Sequence, residues 1–362
     1  MRVSIAELGE MPHKRFVDFV RLCEQLRYDG LYHADEKWTR DVWARLGVAA
    51  MASDRLTLGT SVTDGVTRHP ALAAQAAATI AEATGGRLTL GFGAGSHFET
   101  LPGYEVVRPA VAIRESIEIM RRMWAGERVT VDGEVMKFMG GKLDFELDPS
   151  LTPKIWVATR GVHVLRMSGE VADGVILGSF STKWGVDYGK REIEKGLAKS
   201  NRSWDDITLA SWLYVCILEN EDDPIPEGIR RGVSHAMWSS RAIIEPVLDE
   251  ITDDIPDDFR RFLRDAPHHW SPEVMAELRR LIPRGVIDAL SVVGTADVVR
   301  ERLLALEAMG IQELIIWPFP TDATVRTTRG SADVEDFAIR FADEVLPALN
   351  RRGTRGVYQL VD

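Results

Sequence analysis

Short apolar runs alternate along the chain with longer stretches in which apolar positions recur every three or four residues. The runs fall at residues 3–8, 31–34, 56–62, 88–92, 155–158, 175–178, 208–218 and 314–317 and read as β-strands. The stretches with helical period cover residues 12–26, 41–52, 70–84, 109–124, 162–171, 183–199, 296–309 and 333–349. The strand runs are apolar nearly throughout instead of alternating, the pattern of strands covered on both faces. In the fourth helix Ile113, Ile117, Met120 and Trp124 share one side, and Arg114, Glu118 and Arg122 occupy the other. Pro70 and Pro109 suit a first helical turn, and Gly85 and Gly310 suit a left-handed C-cap.

Strand followed by helix, eight times over, implies a parallel sheet closed into a (β/α)8 TIM barrel, which needs about 250 residues. The chain has 362. We place the surplus in two excursions from a single domain spanning 1–362. One, at 126–153, contains Asp132-Gly133, a hairpin turn signal. The other, at 220–290, is helical, acidic and arginine-rich, and interrupts the seventh βα unit.

Composition narrows the partners. Forty-four basic against 55 acidic side chains give a net charge of −11, and no basic cluster marks a nucleic-acid footprint. No run of eighteen apolar residues spans a membrane, and no signal peptide opens the sequence, so a cytoplasmic protein is expected. Cys23 and Cys216, the two cysteines, are expected as buried thiols and not as a disulfide. The eight histidines do not pair at metal-ligand spacing, the adjacent His268 and His269 included, so no metal is expected.

In a barrel of this kind function sits at the carboxyl ends of the strands. Those positions read Glu7, Asp35-Glu36, Ser61-Val62-Thr63, Gly93-Ala94-Gly95-Ser96, Thr159-Arg160-Gly161 and Gly178-Ser179-Phe180. Gly161 opens a helix and Gly178-Ser179 ends a neighbouring strand, an arrangement that either cradles a phosphate at a helix N-terminus or simply turns strands into helices. His33 precedes Asp35 by two and is expected on the same face, lining a pocket. His69 is expected as a packing or hydrogen-bonding element of its turn. Trp38, Trp43 and Trp317 suggest an apolar substrate wall.

Several of these segments resemble the bacterial luciferase-like superfamily, most closely its methylenetetrahydromethanopterin reductase branch dependent on coenzyme F420. They are Leu58-Gly59-Thr60-Ser61-Val62-Thr63, Thr67-Arg68-His69-Pro70, Gly85-Gly86-Arg87-Leu88 with Gly91-Phe92-Gly93-Ala94-Gly95, Ser168-Gly169-Glu170-Val171-Ala172-Asp173-Gly174, and Val293-Gly294-Thr295. The likeness fades across 220–290. It implies a third strand ending in a bulge with a non-proline cis peptide at Ser61–Val62 behind a deazaflavin ring, Asp35 beside that ring, and Ala158, Thr159, Arg160, Gly161, Gly178 and Ser179 at the phosphate-bearing tail. It also implies Glu7 in the pocket, and a homodimer. Relatives often carry histidine after the second-strand aspartate and an acidic residue after the fourth-strand glycines; Glu36 and Ser96 depart from that pattern.

The leading expectation is therefore hydride transfer between the deazaflavin C5 and a small organic substrate, with Glu7 and Glu36 as candidate proton-delivering carboxylates. Three rivals stand beside it. One is an FMN-dependent monooxygenase working with a flavin reductase. Another is a barrel glycosidase, which needs two carboxylates about 5–10 Å apart, with Glu7 and Glu219 as the pair. The last is a coenzyme-binding protein without turnover.

Overall fold

The computed structural model describes residues 1–349, apart from 96, 97, 99, 254, 268–270 and 320–331. Its strands are β1 (Arg2–Glu7), β2 (Gly30–His33), β3 (Thr57–Thr60), β4 (Thr63–Asp64), β5 (Leu88–Gly93), β6 (Val129–Asp132), β7 (Lys137–Gly141), β8 (Lys154–Thr159), β9 (Gly174–Gly178), β10 (Thr208–Ile217), β11 (Ser291–Gly294) and β12 (Glu313–Pro318). Parallel pairing runs from β1 through β2, β3, β5, β8, β9, β10 and β12 and returns to β1, closing an eight-stranded barrel. These are the eight strands read from the apolar runs.

Helices α1 (His13–Gln25), α2 (Val42–Ala50), α3 (Pro70–Thr84), α4 (Pro109–Trp124), α5 (Val162–Val171) and α6 (Lys183–Lys199) follow the strands of the first three quarters. The excursion after β10 contributes α7 (Glu227–Ser239), α8 (Arg241–Ile244), α9 (Leu248–Ile251), α10 (Asp257–Asp265), α11 (Pro272–Leu281) and α12 (Arg284–Leu290). Helices α13 (Ala296–Ala308) and α14 (Ala332–Glu344) complete the ring. The terminal helix was expected to reach 349, but its last turn is a tighter 3-10 turn at Leu346–Ala348. Among the described residues no helix is long and apolar enough to cross a membrane.

Two features depart from the strand reading. The run at 56–62 is not one strand: β3 stops at Thr60, a cis peptide joins Ser61 to Val62, and β4 resumes against β5. Strand β11 was not anticipated; it pairs with Tyr214–Ile217 of β10, beyond the stretch that β9 occupies.

The local signals act as expected. His69 caps α3, its Nδ1 accepting from the Ala71 amide at 3.2 Å, and Gly85 ends that helix at φ +62°. Strands β6 and β7 form the antiparallel hairpin. Its turn is tied to α4 by the Glu115 carboxylate, which accepts the amides of Glu134, Val135 and Met136 at 2.6–3.0 Å. Cys23 and Cys216 are buried free thiols.

Alternation along the strands divides the core in two. Outward residues such as Val3, Ile5, Leu31, Leu58 and Leu90 join the large apolar layer under the helices. Ala6, Tyr32, Trp156, Ile176, Ala210 and Ile315 fill the barrel, with Val62, Ala158 and Trp212 packed against them. The lumen is thus a packed column whose upper layer is made of rim residues.

Candidate active site

The carboxyl-end rim splits into a closed polar shell and an open one. On the closed side, Glu7 ends β1 on the outward face, opposite His33 in the β1–β2 register. Its carboxylate accepts the amides of Gly9 at 2.9 Å, Glu10 at 3.0 Å and Met11 at 3.2 Å. His33 Nδ1 lies 2.8 Å from it and the Arg45 guanidinium 3.8 Å. Burial by itself raises the Glu7 pKa, but His33, Arg45 and the Gly9 amide outweigh that and hold it below its ordinary value. Arg45 is buried as well, lies 4.0 Å from the centre of the Phe16 ring and donates to the Met11 carbonyl. His33 packs edge-on against Phe16.

Two expectations change here. Glu7 turns to the outward face, where its carboxylate anchors the β1–α1 turn instead of facing the lumen. His33 is wedged under α1 and does not line a pocket. The Glu7–Glu219 glycosidase pair dissolves with it: Glu219 is 72% exposed and paired with Arg340 at 2.5 Å.

The open side collects most of the other expected residues. Asp35, half-buried after β2, accepts the Thr63 hydroxyl at 2.7 Å, which ties it to the far side of the cis Ser61–Val62 bond. Val62 leans on β5, where only glycine leaves it room: a Cβ on Gly93 would stand 3.0 Å from Val62 Cγ2, and one on Gly91 would stand 2.0 Å from the Thr60 carbonyl. Ala158, like Val62, packs against the inner column. Thr159 Oγ1 accepts the Gly161 amide at 3.0 Å, at the start of α5. Gly178 lies in register with Trp212, and the Ser179 amide donates to the Trp212 carbonyl at 2.7 Å with Ser179 at φ +60°. Arg160 extends over Gly178 and donates to the Ser239 hydroxyl of α7 at 2.7 Å. Glu36 is half-buried in the turn after Asp35, its carbonyl accepting the Thr39 hydroxyl at 2.9 Å. Ser96 lies outside the described residues, as do His268 and His269.

Among the described residues, three buried polar atoms on this side have no hydrogen-bond partner: Ser61 Oγ, Ser179 Oγ and Trp212 Nε1. Native interiors seldom leave such atoms unpaired, so a ligand is the natural partner. Beside them stands an aromatic wall that the sequence reading only partly found. Trp317 meets Trp212 at 4.5 Å between ring centres, Trp212 meets Tyr214 at 4.8 Å, and Tyr214 meets Phe319 at 5.4 Å. Counting by twos along β10 from the inward Ala210 would have found Trp212 and Tyr214. Of the other expected wall residues, Trp43 is buried in the core at the start of α2 and Trp38 is 73% exposed. Lys37, also missed, is 2.8 Å from Asp64 and so already paired.

A separate cavity of about 250 Å³ lies outside β5, lined by Val66, Phe92, Val106, Ile113, Val135 and Met136. It reaches the rim through Gly93 and Ala94 and carries none of the expected cofactor residues.

The chain as a whole resembles several known proteins. The chain is 28% identical over 319 residues to a 5,10-methylenetetrahydromethanopterin reductase of Archaeoglobus fulgidus, covering 87% of this chain and 92% of that protein. It is 26% identical to the enzyme of the same name from Methanolobus tindarius, covering 87% and 93%. The fold superposes on the coenzyme F420 dependent tetrahydromethanopterin reductase of Methanopyrus kandleri with a TM-score of 0.76 at 20% identity, over 96% of this chain and 98% of that one. The sequence profile of the luciferase-like monooxygenase family matches residues 3–313, and the chain belongs to that family.

Proposed function

We propose that the protein is a coenzyme F420-dependent oxidoreductase that moves a hydride between the deazaflavin C5 and an electrophilic carbon of a small organic substrate. The carrying observation is the set of unpartnered buried polar atoms, Ser61 Oγ, Ser179 Oγ and Trp212 Nε1, around a rim kept open by Gly91, Gly93 and Gly178. The names of its relatives point the same way.

The deazaflavin, when bound, supplies the carbon that gives or takes the hydride. Everything else falls to the chain. Val62 and Ala158 form the backing for the ring, and Asp35, fixed by Thr63, stands at its edge. The main chain at Thr159, Arg160 and Gly161 and the Gly178-Ser179 turn hold the phosphate-bearing tail near the α5 N-terminus. The wall of Trp212, Tyr214, Trp317 and Phe319 keeps water from the reacting carbon and orients an apolar substrate. Glu36, in the turn directly after Asp35, is the carboxylate we assign to proton delivery.

Parallel calorimetric titrations with F420 and with FMN test this reading. Saturable one-to-one binding of F420, with FMN at least a hundredfold weaker, is expected. Tight FMN binding without F420 binding would move the chain to the monooxygenase branch and its reductase partner.

A further inference from the structure

Half-buried Arg160 contrasts with three guanidinium groups elsewhere in the fold. Arg45, Arg241 and Arg302 each face a carboxylate, Glu7 at 3.8 Å, Glu245 at 2.9 Å and Asp288 at 3.6 Å. Arg160 has no acidic partner among the described residues; its Nη2 donates to the neutral Ser239 hydroxyl at 2.7 Å. The Tyr188 hydroxyl donates to the Arg160 carbonyl at 2.9 Å and fixes the main chain beneath it. Burial pulls the guanidinium pKa down, with the Tyr214 phenol opposing. A half-buried cation without a counter-ion is partly desolvated at a cost, and an anion brought by a ligand offsets it.

The direction of the side chain says where the anion sits. Nη1 lies 3.4 Å from the place a Cβ on Gly178 would take, on the inward face of β9, next to Trp212 in the register. This is the substrate side of the rim, beside the aromatic wall, whereas the α5 N-terminus is served by main-chain amides.

We propose that the Arg160 guanidinium receives the carboxylate of an acidic substrate whose aromatic or apolar body lies on Trp212, Tyr214 and Trp317. The planar fork matches a carboxylate bidentately, and the wall supplies the apolar half of the recognition. The site deepens the oxidoreductase reading and rests on it for the reaction. The same fork would also fit a phosphate of the coenzyme tail, and the test separates the two sources.

The test uses calorimetry on the full chain, with and without F420, and two probes of one shape: trans-cinnamate and the neutral cinnamamide. The wild type is expected to bind cinnamate at least tenfold more tightly than cinnamamide. Arg160→Gln should bind both alike, and Arg160→Lys, which keeps the charge and controls for folding, should retain part of the preference. The ratio of affinities for F420 and for its phosphate-free deazaflavin riboside should be the same in Arg160→Gln and wild type. No preference in the wild type, or a preference that survives Arg160→Gln, overturns the proposal. So does collapse of the F420-to-riboside ratio in Arg160→Gln with the cinnamate preference intact, which assigns Arg160 to the tail. An Arg160-dependent cinnamate preference without F420 binding sinks the coenzyme reading and leaves the acid site standing.

Discussion

Arg45, fully buried, and Arg160, half-buried, are cations at the same end of one barrel, yet their surroundings are opposite. Arg45 has the Glu7 carboxylate, the Met11 carbonyl and the Phe16 ring around it, in a shell that also satisfies Glu7 through three amides. Arg160 has one serine hydroxyl, and near it lie polar atoms with no partner at all. The contrast teaches how to separate architecture from function among charged rim residues. What separates the two is the counter-ion: Arg45 faces a carboxylate of its own chain and holds the fold even with Nε and Nη1 unpartnered, whereas Arg160 faces none among the described residues and waits for an anion.

The contrast can be broken most directly at Glu7. Glu7→Ala strands Arg45, His33 and three amides, and we expect a loss of about 3–5 kcal/mol in urea unfolding. A loss near zero would mean the shell is not structural. The same measurement on the two arginines sharpens the point. Arg45→Ala should cost about 3 kcal/mol because it removes the guanidinium from the buried Glu7 carboxylate and leaves a cavity against Phe16. Arg160→Ala, measured without ligand, should change stability by less than about 1 kcal/mol. Equal costs would erase the distinction.

Smaller effects follow at the rim. Gly178→Val puts a branched side chain against the Arg160 guanidinium on the substrate side of the rim and should weaken cinnamate binding at least tenfold, about 1.4 kcal/mol, by calorimetry. Thr63→Val removes the hydroxyl that fixes Asp35 and should cost a few-fold in F420 affinity, about 1 kcal/mol.

Two buried carboxylates give a comparison of sign. The folded Glu7 pKa is depressed, so its contribution to stability is present above the ordinary carboxylate pKa and lost as pH falls through the folded value. The deficit of Glu7→Gln should therefore shrink in acid. Glu313, on the barrel floor beside Ser4 and Arg2, has its pKa pushed up by burial despite those neighbours. Its contribution is present below the ordinary value and lost as pH rises through the folded one. Glu313→Gln should accordingly raise the melting temperature at pH 8 and lose that gain at pH 4.

The barrel was legible because strands covered on both faces leave solid apolar runs, and each helix carries its own caps. Strand β11 escaped because Ser291 follows Leu290 of α12 directly, with no turn residue to mark the change. The facing of Glu7 was hidden for a related reason. Val3 and Ile5 face out and Ala6 faces in, all apolar, so hydrophobic alternation cannot say to which side of β1 the carboxylate points. The cis peptide at Ser61–Val62 leaves no trace in hydropathy and was expected only through resemblance. The missing partner of Arg160 is a fact about space and could not be read from a chain of letters.

Amide hydrogen exchange with and without F420 tests the central assignment most directly. Bound coenzyme should protect residues 61–64, 158–162 and 178–180 together, the three rim segments assigned to ring and tail. Protection confined to 103–107 and 135–136, around the cavity outside β5, would contradict it.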